Sequence, residues 1–190
     1  MTLSKKKKSD LIFWIGFGLI LAFLYLTPWG GATRTWISGL FLSSPSMEKY
    51  DSSDNFLSTD WNLQHINNEK MRLSDTDKPI FINIWATWCG PCRTELPSIN
   101  SLYDKYKNDV EFILVSPNES IVLLKEFATD NDYKLPIYTA IGQTPSQLQT
   151  NSYPTTIIID KNKIIMHKMK GAHDWNTEEV YSILNELINK

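Results

Sequence analysis

The spacing of apolar residues along this chain changes several times, and each change marks an element. Leu11 to Leu26 form one run of sixteen positions without a charge or strongly polar group. A run with no polar face predicts a helix that needs apolar surroundings on every side. Farther on, Trp61–Ile66 and Lys70–Leu73 flank Asn67, Asn68 and Glu69 and predict a β-hairpin. Pro79–Trp85 is mostly apolar and bounded by turn signals, the mark of a buried central strand. The period then lengthens. Leu96, Ile99, Leu102, Tyr103 and Tyr106 are helical neighbours, which predicts a helix over Cys92–Lys107. A second buried strand is expected over Val110–Ser116 and a second helix over Ser120–Asp130. Residues 131–152 read as polar and irregular, with a short helix near Pro145–Gln149. Strands over Thr155–Asp160 and Ile164–Lys168 are joined by a turn at Asp160–Lys163, short enough to make the pair antiparallel. Thr177 is placed to cap a closing amphipathic helix whose apolar face is Val180, Ile183, Leu184 and Leu187. The order hairpin, β, α, β, α, β, β, α predicts an α/β domain over residues 54–190.

The charges change the reading of the first run. Lys5 to Lys8 precede it, and its extension to Trp29 makes nineteen positions. At about 1.5 Å per residue that is about 28 Å of helix, against a bilayer core of about 30 Å. Residues 11–29 are therefore expected to be a single transmembrane anchor, with Trp29 at the far interface. Residues 1–10 become a cytoplasmic basic segment and 30–53 a stalk that includes the short apolar run 36–42. The remainder then lies on the outer side of a bacterial inner membrane. A cleaved signal peptide begins in the same way, but no small-x-small site follows at the usual distance. Residues 43–190 hold 14 Lys and Arg against 20 Asp and Glu. A modestly acidic domain without a basic stripe argues against nucleic acid as a partner.

The chain has two cysteines, Cys89 and Cys92, separated by Gly90 and Pro91. A pair so close closes almost no loop and would stabilise little as a staple. A buried strand running into this turn puts Cys89 at the start of a helix, where unpaired N–H groups and the helix dipole favour a thiolate. Cys92 lies one turn farther in. That order makes Cys89 the attacking thiolate and Cys92 the resolving thiol. A zinc half-site is the competing reading, but zinc takes about four ligands and there is no second cysteine pair. His65, His167 and His173 are scattered and are expected to be surface or hairpin residues, with no metal site.

Trp88-Cys89-Gly90-Pro91-Cys92 after a buried strand, Tyr153-Pro154-Thr155 opening a later strand, and Gly171 after the last hairpin closely resemble the thioredoxin superfamily. Arg93-Thr94-Glu95-Leu96-Pro97, the leading hairpin and the anchor are similar to its TlpA/ResA-like membrane-anchored branch. The resemblance implies a thioredoxin fold, a central mixed β-sheet flanked by helices, with an N-terminal β-hairpin extension. It implies a thiol:disulfide oxidoreductase that needs no cofactor beyond the Cys89–Cys92 pair. Pro154 would be a cis-proline facing the disulfide, and Trp88, Gly90, Pro91 and Tyr153 would meet the substrate beside it. Glu95 resembles the carboxylate that tunes the thiols, because Asn83 occupies the strand position where thioredoxins carry a buried Asp. The implied substrates are exported proteins with disulfides, such as apocytochrome c or copper-site thiols, and the implied electron source is a membrane thiol donor. An oxidase or isomerase remains the alternative. A copper-chaperone module is disfavoured by the two-residue cysteine spacing.

Overall fold

The computed structural model describes residues 5–26, 42–46, 50, 55–57 and 60–190. They fall into two compact units, 1–41 and 42–190. In the first, helix α1 spans Lys5–Leu26 and so starts inside the lysine cluster, six residues before the apolar run. Ile12, Phe13, Trp14, Ile15, Phe17, Leu19 and Ile20 are all exposed on it. No helix among the described residues is long and apolar enough to cross a membrane. The expected interface residue Trp29, the continuation of the anchor over 27–29 and the run from 36 to 41 lie outside the described residues.

The second unit is a mixed sheet between helices, a thioredoxin-like fold. Its strands are β1 (Asn62–His65), β2 (Lys70–Arg72), β3 (Ile80–Ile84), β4 (Glu111–Val115), β5 (Ile137–Ile141), β6 (Thr155–Ile159) and β7 (Ile165–Lys170). Their spatial order is β2-β1-β5-β4-β3-β6-β7. The β3–β4 and β4–β5 pairs are parallel; the β3–β6, β6–β7, β1–β2 and β1–β5 pairs are antiparallel. Helices α2 (Gly90–Tyr106), α3 (Ile121–Asp130) and α4 (Glu178–Asn189) complete it. Ser120 and Thr177 accept from Leu123 and Val180 N–H as N-caps. In the hairpin turn Asn68 takes φ 75°, a left-handed conformation that Asn tolerates better than most residues.

The sheet departs from expectation in one place. Residues 131–152, read as irregular, contain β5, which joins the hairpin to β4. Its local signal is weak because it follows Pro136 and its burial falls away toward Ile141. The strand is defined by partners more than sixty residues away, Asn62 to His65. The short helix expected near Pro145–Gln149 is a single 3-10 turn, Ser146–Leu148. The second compact unit runs over residues 42–190. Part of the expected stalk is fastened to it, through Asp174 N–H to Ser43 O at 3.0 Å and Tyr50 N–H to Met166 O at 2.8 Å.

Alternation along each strand divides the core in two. Phe81, Phe112, Leu114 and Ile158 pack against α2, α3 and α4 through Leu96, Leu124 and Leu184. Ile80, Ile82, Ile84, Ile113, Val115, Ile157 and Ile159 face the other way, toward Trp61, Leu73 and Leu148. Antiparallel pairing sets the start of β6 beside the end of β3, with Ile84 opposite Thr155. Everything that follows β3 or β4, or precedes β6, therefore gathers at one end of the sheet.

Candidate active site

Cys89 is the N-cap of α2, and Pro91 sits in the first turn, where its missing N–H is no loss. The two cysteines are joined as a disulfide with Cα atoms 5.3 Å apart. Cys89 Sγ accepts from Cys92 N–H at 3.2 Å. Backbone donors and the positive end of the helix thus point at the outer sulfur, the arrangement that favours a thiolate after reduction. Cys92 is fully buried, and Cys89 is 4% exposed.

Trp88, Cys89, Gly90, Pro91, Thr150, Asn151 and Tyr153 line an open cavity of about 430 Å³ over the disulfide. Trp88 is 73% exposed and tilts toward the Tyr153 ring at 5.9 Å. The Tyr153–Pro154 peptide is cis, and buried Pro154 accepts through its carbonyl from Gly171 N–H at 2.9 Å. Trp85 is fully buried, as expected of a core residue.

Glu95 is the second half of the site. It lies one turn beyond Cys92 on α2, so both project from the same face, and it is fully buried. Asn83 Nδ2 donates to Oε1 at 2.8 Å; Trp175 Nε1 and His173 N–H donate to Oε2 at 2.9 and 3.1 Å. The Asn83 amide also donates to its cross-strand partner Thr156, at 2.9 Å. No cation is among these partners. Burial dominates, and the Glu95 carboxyl is pushed up to about 7 although all three donors oppose the shift. Such a group can gain or lose a proton near neutrality, one helical turn along α2 from Cys92.

Several contributors were not visible in the sequence reading. Trp175 and His173 come from the loop after β7, pinned to α2 by Ser98, whose Oγ accepts from Trp175 N–H at 3.1 Å. The indole N–H of Trp175 finds Glu95, while those of buried Trp61 and Trp85 have no partner among the described residues, so no pattern in the sequence singled Trp175 out. Glu119 ties the loop before Trp88 to the end of β4. It accepts from Thr87 N–H at 2.9 Å and Ser116 Oγ at 2.7 Å. The histidines do not converge. His65 is on β1, His167 is buried on β7, and His173 meets Glu95 only through its backbone. His167 is a hairpin residue of the β6–β7 pair, and the inward parity of β7 buries it. Among the described residues no three His, Cys, Asp or Glu side chains are grouped as metal ligands.

Known proteins agree with this geometry. Residues 57–168 match the AhpC/TSA family. The chain is 32% identical to the thiol-disulfide oxidoreductase ResA of Bacillus thuringiensis subsp. konkukian over 180 residues, 92% of this chain and 96% of that one. It is 33% identical over 110 residues to the thioredoxin-like protein YneN of Bacillus subtilis, covering 56% of this chain and 65% of that one. Among solved structures, a Chlorobium tepidum protein described as thiol:disulfide interchange protein DsbE superposes with TM-score 0.62 at 23% identity, covering 73% of this chain and 99% of that one. That last likeness bears on the fold, and the ResA likeness extends across nearly the whole length. The chain belongs to the AhpC/TSA family and is a thioredoxin-like thiol-disulfide oxidoreductase.

Proposed function

We propose that this enzyme is anchored in a bacterial inner membrane and reduces disulfides of exported proteins on the outer side, apocytochrome c or copper-site thiols among them. The observation that carries the reading is the pairing of Cys89, at a helix start and lining an open cavity, with a buried carboxylate one turn past Cys92. Reduced Cys89 attacks one sulfur of the substrate disulfide. The substrate S–S bond breaks, its departing thiolate takes a proton, and a mixed disulfide remains on Cys89. Cys92 gives its proton to Glu95 and attacks Cys89 Sγ, which re-forms the Cys89–Cys92 bond and releases the second substrate thiol. Two electrons have then passed to the substrate. A membrane thiol donor returns them, since the outer compartment is kept oxidising. Trp88, Gly90, Pro91, Tyr153 and Pro154 hold the substrate chain over the sulfurs.

Residues 11–29 serve as the anchor and 1–10 as its cytoplasmic flank. The reading is supported by the uncharged run Leu11–Leu26, by apolar side chains exposed all round α1, and by a ResA likeness that covers most of the chain. Gly-Pro between the cysteines, as in thioredoxin, fits a reducing poise. The test is the reduction potential of the pair in the full chain, equilibrated with thiol buffers. A value at or below about −250 mV is expected; about −120 to −180 mV would make the enzyme an oxidase or isomerase instead.

A further inference from the structure

The cavity over the disulfide does not end at Asn151. Thr150 and Asn151 also border a second, larger cavity of about 780 Å³, closed by Tyr50, Gln149, Lys168 and Lys170. The two lysines stand on the same face of edge strand β7, and Lys170 lies opposite Thr155, the residue that follows Pro154. Lys168 Nζ donates to the carbonyls of Gln147 and Gln149 at 2.8 and 3.1 Å, which leaves one ammonium hydrogen free. Among the described residues neither lysine has an acidic partner within ion-pair distance. Burial first, and then the neighbouring Lys170 charge, hold Lys168 below the usual lysine range, so the two ammoniums repel each other. This happens in a domain that is acidic overall and would repel negative chains elsewhere.

We propose that Lys168 and Lys170 form a subsite that selects substrate polypeptides carrying acidic side chains next to the reducible disulfide. The inference rests on the oxidoreductase reading and adds the substrate's charge. A chain crossing Cys89 and Tyr153 continues past Thr150 and Asn151 into a polar, wide cavity whose charged lining residues, among the described residues, are Lys168 and Lys170. Two cations in a half-open site attract carboxylates by steering more than by tight binding, so the effect falls on the encounter rate and weakens with salt.

The test uses the reduced full chain in zwitterionic-lipid nanodiscs. Synthetic peptides with one internal disulfide are flanked on both sides by Asp, Asn or Lys. The acidic peptide should oxidise the Cys89–Cys92 pair about fivefold faster than the neutral one at low salt, and the preference should vanish near about 1 M salt. Lys170→Glu, at an exposed position, should invert the order, while the rate with neutral hydroxyethyl disulfide stays unchanged. Equal rates for acidic and neutral peptides, with the neutral one reacting normally, overturn the subsite and leave the oxidoreductase reading standing. An acidic preference that survives Lys170→Glu also overturns it. So does a Lys170→Glu variant that loses only binding to phosphatidylglycerol vesicles, because the cations would then serve a lipid headgroup. Failure of every peptide to react through Cys89 removes the oxidoreductase reading and the subsite together.

Discussion

The two faces of the central sheet solve the burial problem differently. One face is mainly aliphatic: Ile80, Ile82 and Ile84 of β3 pack with Ile113, Val115, Ile157 and Ile159, and buried Thr155, on the same side of β6, turns its hydroxyl to Ser152 O at 2.8 Å. The other carries Phe81 on the same strand and Trp85 just past its end, but between them Asn83 faces Glu95 and Thr156. A carboxylate in the core is destabilising unless its hydrogen bonds are made, and here three donors make them. The polar exception lies on the face that receives the buried sulfur of Cys92. One face is mainly aliphatic packing, and the other buries a carboxyl one helical turn past Cys92.

That contrast breaks most visibly at the sulfur. Cys89→Ser should lower exchange with any disulfide substrate by more than about 10³-fold, read by substrate reduction under dithiothreitol. A variant retaining more than a tenth of the activity would remove Cys89 as nucleophile. Glu95→Gln keeps the shape and deletes the charge. Resolution of the mixed disulfide should slow by about 10²-fold near neutral pH. Stability should move the opposite way. A carboxyl at about 7 in the fold, against an ordinary value of 4.5, holds its proton longer when folded. Its favourable contribution is therefore full below about 4.5 and is lost as pH rises through about 7. Glu95→Gln should be more stable than the parent above pH 7, by up to about 3 kcal/mol, with the difference shrinking toward pH 4.5. Urea titrations at pH 4.5 and 8 would detect it, and parallel curves would make the carboxylate energetically silent. On the aliphatic face, Ile82→Val should cost about 1 kcal/mol and leave exchange rates within twofold. A rate change there would mean the faces are coupled. Smallest of all, Trp88→Ala should leave stability within about 0.5 kcal/mol, because the ring is exposed, while slowing peptide disulfides a few-fold. Equal slowing of a small, featureless disulfide would contradict a substrate-contact role.

Much of this was legible in local sequence. The run Pro79–Trp85, the turn at Cys89–Cys92 and the helix to Tyr106 are neighbours along the chain, so spacing alone placed Cys89 at a helix start. Thr177 announced the closing helix as its cap. The Glu95 environment was half legible. Its place on α2 followed from spacing, but its burial depends on Asn83, on His173 and Trp175 nearly eighty residues away, and on Ser98 holding them. Strand β5 was lost for the same reason, since long-range pairing defines it and its own pattern does not. Lys168 and Lys170 carried no signal in the sequence, and only the fold brings the loop with Thr150 and Asn151 beside them.

The central claim is that the buried carboxylate takes the Cys92 proton. The most direct measurement is the pH dependence of mixed-disulfide resolution, by rapid acid quench and mass analysis, for the parent and Glu95→Gln. The parent should show a rising limb with an apparent pKa near 7, and the variant should lack it. An identical limb in both would contradict the account and leave Glu95 as a buried structural residue.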